Sequence, residues 1–171
     1  MMMADNNQSQ NVNRMKILFL VIGKTDEAYL EQGVTKYLDR LKHYVGIEMK
    51  VIPDIKNRKT LTEEQQKKME GELIISNLQG GDMLVLLDER GKNHTSAQFA
   101  ASLNKMMGSG CKRIVFVVGG PFGFDKAVYD KADDKLSLSP MTFSHQMVRL
   151  IFVEQLYRAF TILKGEPYHH E

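Results

Sequence analysis

A single cysteine in 171 residues excludes a disulfide within the chain and any cysteine-based metal cluster. Cys111 stands just before an apolar run and reads as a free buried thiol, which fits a reducing compartment. Long hydrophobic runs are missing too: none approaches the roughly 20 apolar residues of a membrane span. Arg14 and Lys16 ahead of Ile17 to Ile22 imitate a secretion signal, but the apolar run is short. Gly23-Lys24-Thr25-Asp26 offers no small-residue cleavage site, so a buried first strand is the better reading. Charge of one sign is scarce, with a formal net of +2. That permits an RNA partner but not a protein that grips nucleic acid by charge alone. Classical nucleotide loops are absent as well. Gly119-Gly120-Pro121-Phe122-Gly123 is not the dinucleotide fingerprint, Pro121 removes an amide a phosphate cradle would use, and no Gly-Lys-Ser/Thr follows.

What the chain does have is 43% hydrophobic and 26% charged residues, enough for a sizeable core without wholesale disorder. Residues Met1 to Arg14 are polar and aperiodic and precede a second methionine, Met15, so 1–14 are expected to be a disordered leader or a mis-assigned start. Residues 15–171 carry no repeat or low-complexity linker and read as one domain. Four apolar runs, Ile17–Ile22, Met49–Ile52, Met83–Leu87 and Ile114–Val118, look like strands covered on both faces. Helical patterns lie between them. Ala28 to Tyr44 gathers Tyr29, Leu30, Val34, Tyr37, Leu38 and Leu41 on one face. Thr60-Leu-Thr-Glu63 and Thr95-Ser-Ala-Gln98 have capping-box spacing, the first opening a helix to about Leu78, the second a helix that ends at Gly108–Gly110. Alternating strands and helices predict an α/β fold with a mostly parallel sheet. Its ligands would bind outside the carboxyl ends of the strands, at Gly23-Lys24-Thr25, Asp54-Ile55-Lys56, Asp88-Glu89-Arg90-Gly91 and Gly119-Gly120-Pro121.

The last helix, from about His145 to Lys164, is apolar almost all round, which demands burial on more than one side. A homodimer packed through this helix satisfies that demand, and so does a fully internal helix in a monomer. Arg149 and Arg158 sit in this apolar setting, where an unpaired charge is costly. Glu154 is placed to pair with Arg158. Arg149 has only His145 on its helix and must find a partner across an interface or at a ligand. Gly119–Gly123 serves a tight turn or a close approach to a ligand. Leu136 to Ser144 is either a strand-to-helix connection capped by Ser144 or a loop able to wrap an adenine. The tail Gly165 to Glu171 reads as a frayed end, or as a Tyr-His pair reaching into a site. Its adjacent histidines point apart and make no metal site. Lys56, Arg58 and Lys59 form either a solvated loop or a contact to RNA phosphate.

Taken together, Leu87-Asp-Glu-Arg-Gly-Lys92, Phe116-Val-Val-Gly-Gly-Pro-Phe-Gly123, Leu136-Ser-Leu-Ser-Pro-Met-Thr-Phe-Ser-His145, Arg149, Glu154-Gln-Leu-Tyr-Arg-Ala159 and Pro167-Tyr-His-His170 resemble one family. It is the ribosomal RNA large-subunit methyltransferases called RlmH, small SPOUT-class enzymes, and the resemblance runs from Met15 to Glu171. It implies a sheet flanked by helices whose C-terminal part is threaded into a trefoil knot. It implies S-adenosylmethionine as methyl donor, without metal, held by Leu87, Gly119, Gly120, Ser139, Pro140, Met141, Thr142, Phe143 and Ser144. The implied reaction is methylation of N3 of a pseudouridine in 23S ribosomal RNA, on the assembled ribosome, by a cytoplasmic homodimer. Arg158, Tyr168 and His169 fall on the substrate side. His169 would then be proton acceptor or orienter of the base, and Arg158 the holder of phosphate or of the developing imide anion. Two rivals remain: a SPOUT methyltransferase acting on transfer RNA, and a non-catalytic RNA-binding assembly factor.

Overall fold

The computed structural model describes residues 15–170, so the leader reading of 1–14 and the terminal Glu171 lie outside the described residues. The strands are β1 (Lys16–Ile22), β2 (Gly46–Ile52), β3 (Asp82–Asn93), β4 (Arg113–Val118) and β5 (Asp134–Ser137). The helices are α1 (Ala28–Leu41), α2 (Glu63–Ser76), α3 (Ser96–Met107), α4 (Lys126–Lys131) and α5 (Met147–Leu163), with one short 3-10 turn at Arg58–Thr60. The five strands form one sheet in the order β2-β1-β4-β3-β5, and every pairing is parallel. The α/β expectation is thus met by a wholly parallel sheet.

β1 and β4 are almost entirely buried because apolar side chains leave both faces into helices. On one face Phe19, Phe116 and Val85 pack against α1, α3 and α5 through Val34, Leu103, Phe152 and Leu156. On the other, Leu20, Leu86 and Val117 meet α2 and α4 through Ile74 and Val128. β2 pairs only with β1 and alternates in exposure, as an edge strand does, which is why only its Met49–Ile52 half stood out by composition. β3 runs past Leu87 into polar residues. α4 is a six-residue helix with no readable period, capped by Asp125, whose Oδ2 accepts from the Ala127 amide at 3.2 Å.

The box at Thr95 forms with Gln98 as expected. That of α2 is shifted by two residues: Thr62 caps and Gln65 reciprocates, because Thr60 is consumed by the 3-10 turn, where its hydroxyl donates to Asn57 O. The all-round apolar helix α5 is flanked by α1 and α3 as well as the sheet. Its demand for burial is therefore largely met inside the chain. The outward face still carries Met147 and Ile151, neither fully buried.

One pairing is unusual. Leu136 of β5 pairs with Leu87 and again with Lys92, so residues 88–91 of β3 bulge out of register beside β5. At Gly91 a Cβ would lie 2.7 Å from the backbone N and C of Leu136, an approach open only to glycine.

Phe152 is fully buried, with the rings of Phe19 and Phe116 each 4.9 Å from its own. Phe152→Ala should cost about 3–5 kcal/mol of stability in urea unfolding.

Candidate active site

Beyond the carboxyl ends of β3, β4 and β5 lies a cleft of about 740 Å³. That is the size range of small-molecule sites, about 300–1,000 Å³. Leu87, Gly119, Gly120, Ser139, Met141, Thr142, Phe143 and Ser144 all line it, and Pro140 belongs to the same loop. The ends of β1 and β2, which sequence reasoning treated as equal candidates, do not line it.

The loop from Ser139 to Ser144 is shaped by its own hydroxyls. Ser137 Oγ donates to Ser139 O at 2.9 Å, and Ser139 Oγ accepts from the Met141 amide at 2.9 Å. Thr142 Oγ1 donates to Glu89 Oε2 at 3.1 Å, tying the loop to the excursion of β3. Ser144 Oγ accepts from the Met147 amide at 3.1 Å, holding the turn ahead of α5, while the N-cap position itself falls on Gln146 rather than on Ser144 as expected. Met141 projects, 76% exposed.

The glycine turn after β4 leaves no room for side chains. A Cβ on Gly119 would meet the Phe124 ring at 3.1 Å, one on Gly120 would meet Glu70 Oε2 at 2.6 Å, and Gly123 has φ +80°. Asp88 accepts a very short hydrogen bond from the Tyr129 hydroxyl. Burial, then this contact, pushes the Tyr129 phenol up to about 12, so it keeps its proton.

At the N-terminal end of α5 the expectation for Arg149 is corrected. It is fully buried and its partners are within the chain. Nη2 donates to Ile22 O at 2.7 Å, Nη1 to Gly23 O at 2.8 Å and Thr25 Oγ1 at 3.2 Å, and Nε to His145 O at 3.1 Å. No interface or ligand is needed. His145, which lines the cleft, is held below the usual imidazole range by burial and then by Arg149.

Arg158, Tyr168 and His169 gather elsewhere. Glu154 Oε1 accepts from Arg158 Nη2 at 2.6 Å and Nε at 3.1 Å, and from the Tyr168 hydroxyl at 3.1 Å. Arg158 lies over the Tyr168 ring at 4.8 Å, and its Nη1 is 3.1 Å from His169 Nδ1. An arginine can only donate, so Nδ1 accepts and the ring proton belongs to Nε2. The tail is docked rather than frayed: Tyr44 donates to Glu166 Oε2 at 2.5 Å, and the Tyr37 and Tyr168 hydroxyls are 3.4 Å apart. At 1.5 Å rise per residue, Arg158 lies about 15 Å along α5 from Val148, which lines the cleft. Within one chain the two groups of residues do not meet.

A family model described as predicted SPOUT methyltransferase matches residues 15–169. The chain belongs to that family. Relatives named ribosomal RNA large subunit methyltransferase H match it over nearly their whole length. The one from Parabacteroides distasonis is 62% identical over 92% of this chain and 100% of its own. That from Christiangramia forsetii is 58% identical over 91% and 99%, and that from Bacteroides fragilis 54% over 92% and 100%. The protein is a methyltransferase of this group, as its motifs implied.

Sequence reading of this methyltransferase missed Glu70. It is 2% exposed, its Oε1 accepts from Gln66 at 2.9 Å, and its Oε2 has no hydrogen-bond partner among the described residues. Its only sequence signal was an acidic residue at a helix position that faces inward. Burial pushes the carboxyl above the usual range, partly opposed by Gln66. A carboxyl raised on folding stabilises the fold below its unfolded value, and that contribution is lost as pH rises through the folded value. Glu70→Gln should therefore melt higher than the parent at neutral pH, with the gap closing toward about pH 4 in a pH series of thermal melts.

Proposed function

We propose that this methyltransferase methylates N3 of a pseudouridine in 23S ribosomal RNA on the assembled ribosome, with S-adenosylmethionine as donor. The names of its relatives and the motif resemblance support the substrate. The observation that carries the site is its division: a cleft at the strand ends and a basic cluster about 15 Å away along α5. A second copy packed through the outward face of α5 would bring the cluster of one protomer to the cleft of the other. The homodimer thus completes the site. A ribosomal substrate also implies work in the cytoplasm.

The cleft fits the donor. Gly119 and Gly120 bring bare backbone to the cleft, Leu87 and Val148 would offer apolar walls to the adenine, and the Ser139–Ser144 loop would offer backbone polar groups. The trefoil knot that the motif resemblance implies would place this threading beside Leu87, where β3 shifts register against β5. S-adenosylmethionine supplies an electrophilic methyl group on its sulfonium sulfur.

The chain's own residues prepare the nucleophile. N3 of the base must lose its imide proton before or while it attacks. Arg158, always charged, stabilises the anion, while Glu154 and the Tyr168 ring hold the guanidinium in place. In the observed pairing His169 Nδ1 is engaged by Arg158, which fixes the imidazole beside the guanidinium and suits His169 to orient the base. Once Arg158 turns to the anion, Nδ1 is released and His169 serves as proton acceptor. Lys56 and Lys59 remain candidates for RNA phosphate. Arg58 is committed to Asp54 at 3.1 Å.

Ribosomes lacking the modification should accept tritiated methyl at N3 of one pseudouridine, while transfer RNA should accept none. Transfer to transfer RNA instead, or donor binding without any transfer, would replace this reading by one of its rivals. Arg158→Lys should lower kcat by about 10²-fold while calorimetry shows donor affinity within about twofold. Mixing Arg158→Ala with a cleft-blocked Gly119→Val copy should restore turnover that neither has alone. Failure to restore it would sink the shared site.

A further inference from the structure

We propose that Glu70 is the group by which the cleft distinguishes the sulfonium donor from its neutral thioether product. The proposal rests on the donor assigned above.

The geometry is specific. Glu70 projects from α2 against the Cα of Gly120, close enough that a Cβ there would lie 2.6 and 2.8 Å from its two carboxylate oxygens. Gly120 also lines the cleft, so a single thickness of glycine backbone separates the carboxylate from the cleft. The turn is bare at this residue, and the carboxylate abuts that bare point. One oxygen is held by Gln66, a neutral partner on the same helix, and the other has no hydrogen-bond partner among the described residues. The nearby charges on the segment after β2, Asp54 and Arg58, are paired with each other and largely cancel. What reaches across Gly120 is thus a nearly unopposed negative charge in a dry setting, where charge interactions are far stronger than in water.

Methyl transfer changes the charge on the other side. The S–CH3 bond breaks as the N3–CH3 bond forms, the sulfur keeps the bonding electron pair, and the N3 proton has already left. The bound ligand passes from sulfonium cation to neutral thioether. A carboxylate behind Gly120 favours the first and not the second, which loads donor and helps release product. Burial alone favours the protonated acid, and a cation across the turn favours the carboxylate, so donor binding draws the charge into place. A buried acid that costs stability at neutral pH is explained by this use.

The test is calorimetry on the full chain and on Glu70→Gln, which keeps the size and removes the charge. Three ligands are compared: S-adenosylmethionine, sinefungin, whose protonated amine stands at the sulfonium position, and S-adenosylhomocysteine. The substitution should weaken both cations about tenfold and leave the neutral thioether within about twofold. Glu70→Asp, which retains the charge, should retain most of the preference. Equal losses for all three ligands would reveal a merely structural role and overturn the proposal, as would no change in any. If none of the three binds the parent, the donor assignment itself fails.

Discussion

Arg149 holds α5 to the sheet by a charge that is wholly buried, and the placement of both halves of the site follows from it. Its guanidinium donates to the last carbonyls of β1, to Thr25 and to the turn that opens α5. Among the described residues its hydrogen-bond partners are carbonyl and hydroxyl oxygens, not carboxylates. The cost of burying the charge is offset by hydrogen bonds to oxygens that the end of a strand leaves without ladder partners. Gln146 reinforces the joint, accepting from the Asp26 amide at 2.9 Å and donating to Lys24 O at 3.0 Å. The strand end, the first loop and the start of the last helix therefore behave as one piece.

From that joint α5 reaches in two directions. Its N-terminal end presents His145 and Val148 to the cleft, and its C-terminal half presents Glu154 and Arg158 to the docked tail. Tyr37, Tyr44, Tyr157, Phe160 and Tyr168 form the aromatic bed for that tail, which turns what composition suggested was a loose end into an ordered shelf. A rigid helix sets the spacing between the cleft and the Arg158–His169 cluster. A single copy cannot shorten it, whereas a symmetric pair of copies can bring complementary ends together.

The cleft itself is shaped by backbone rather than by large side chains. Gly91 admits β5, Gly119 admits the Phe124 ring, and Gly120 admits Glu70. Each substitutes close approach for packing volume. At Gly120 the approach places a buried acid one backbone layer from the cleft.

Local pattern determined a good deal. The buried strands announced themselves by continuous apolar runs, α3 by Thr95 and Gln98, the Glu154–Arg158 pair by its spacing of four, and the glycine turn by its place after β4. Those features depend on residues near one another in sequence. The ordered motifs then identified the family, and with it the cleft residues from Leu87 to Ser144. Tertiary structure alone decided the rest. Arg149 found its partners more than 120 residues away, at β1. Glu70 became a buried acid because α2 rests on the turn after β4. The polar end of β3 joined the sheet because Gly91 lets the backbone of β5 come close, and the tail was ordered by Tyr37 of α1 and by Tyr44 beyond it. Such contacts are set by which backbones approach each other in space, and periodicity along the chain carries no record of that.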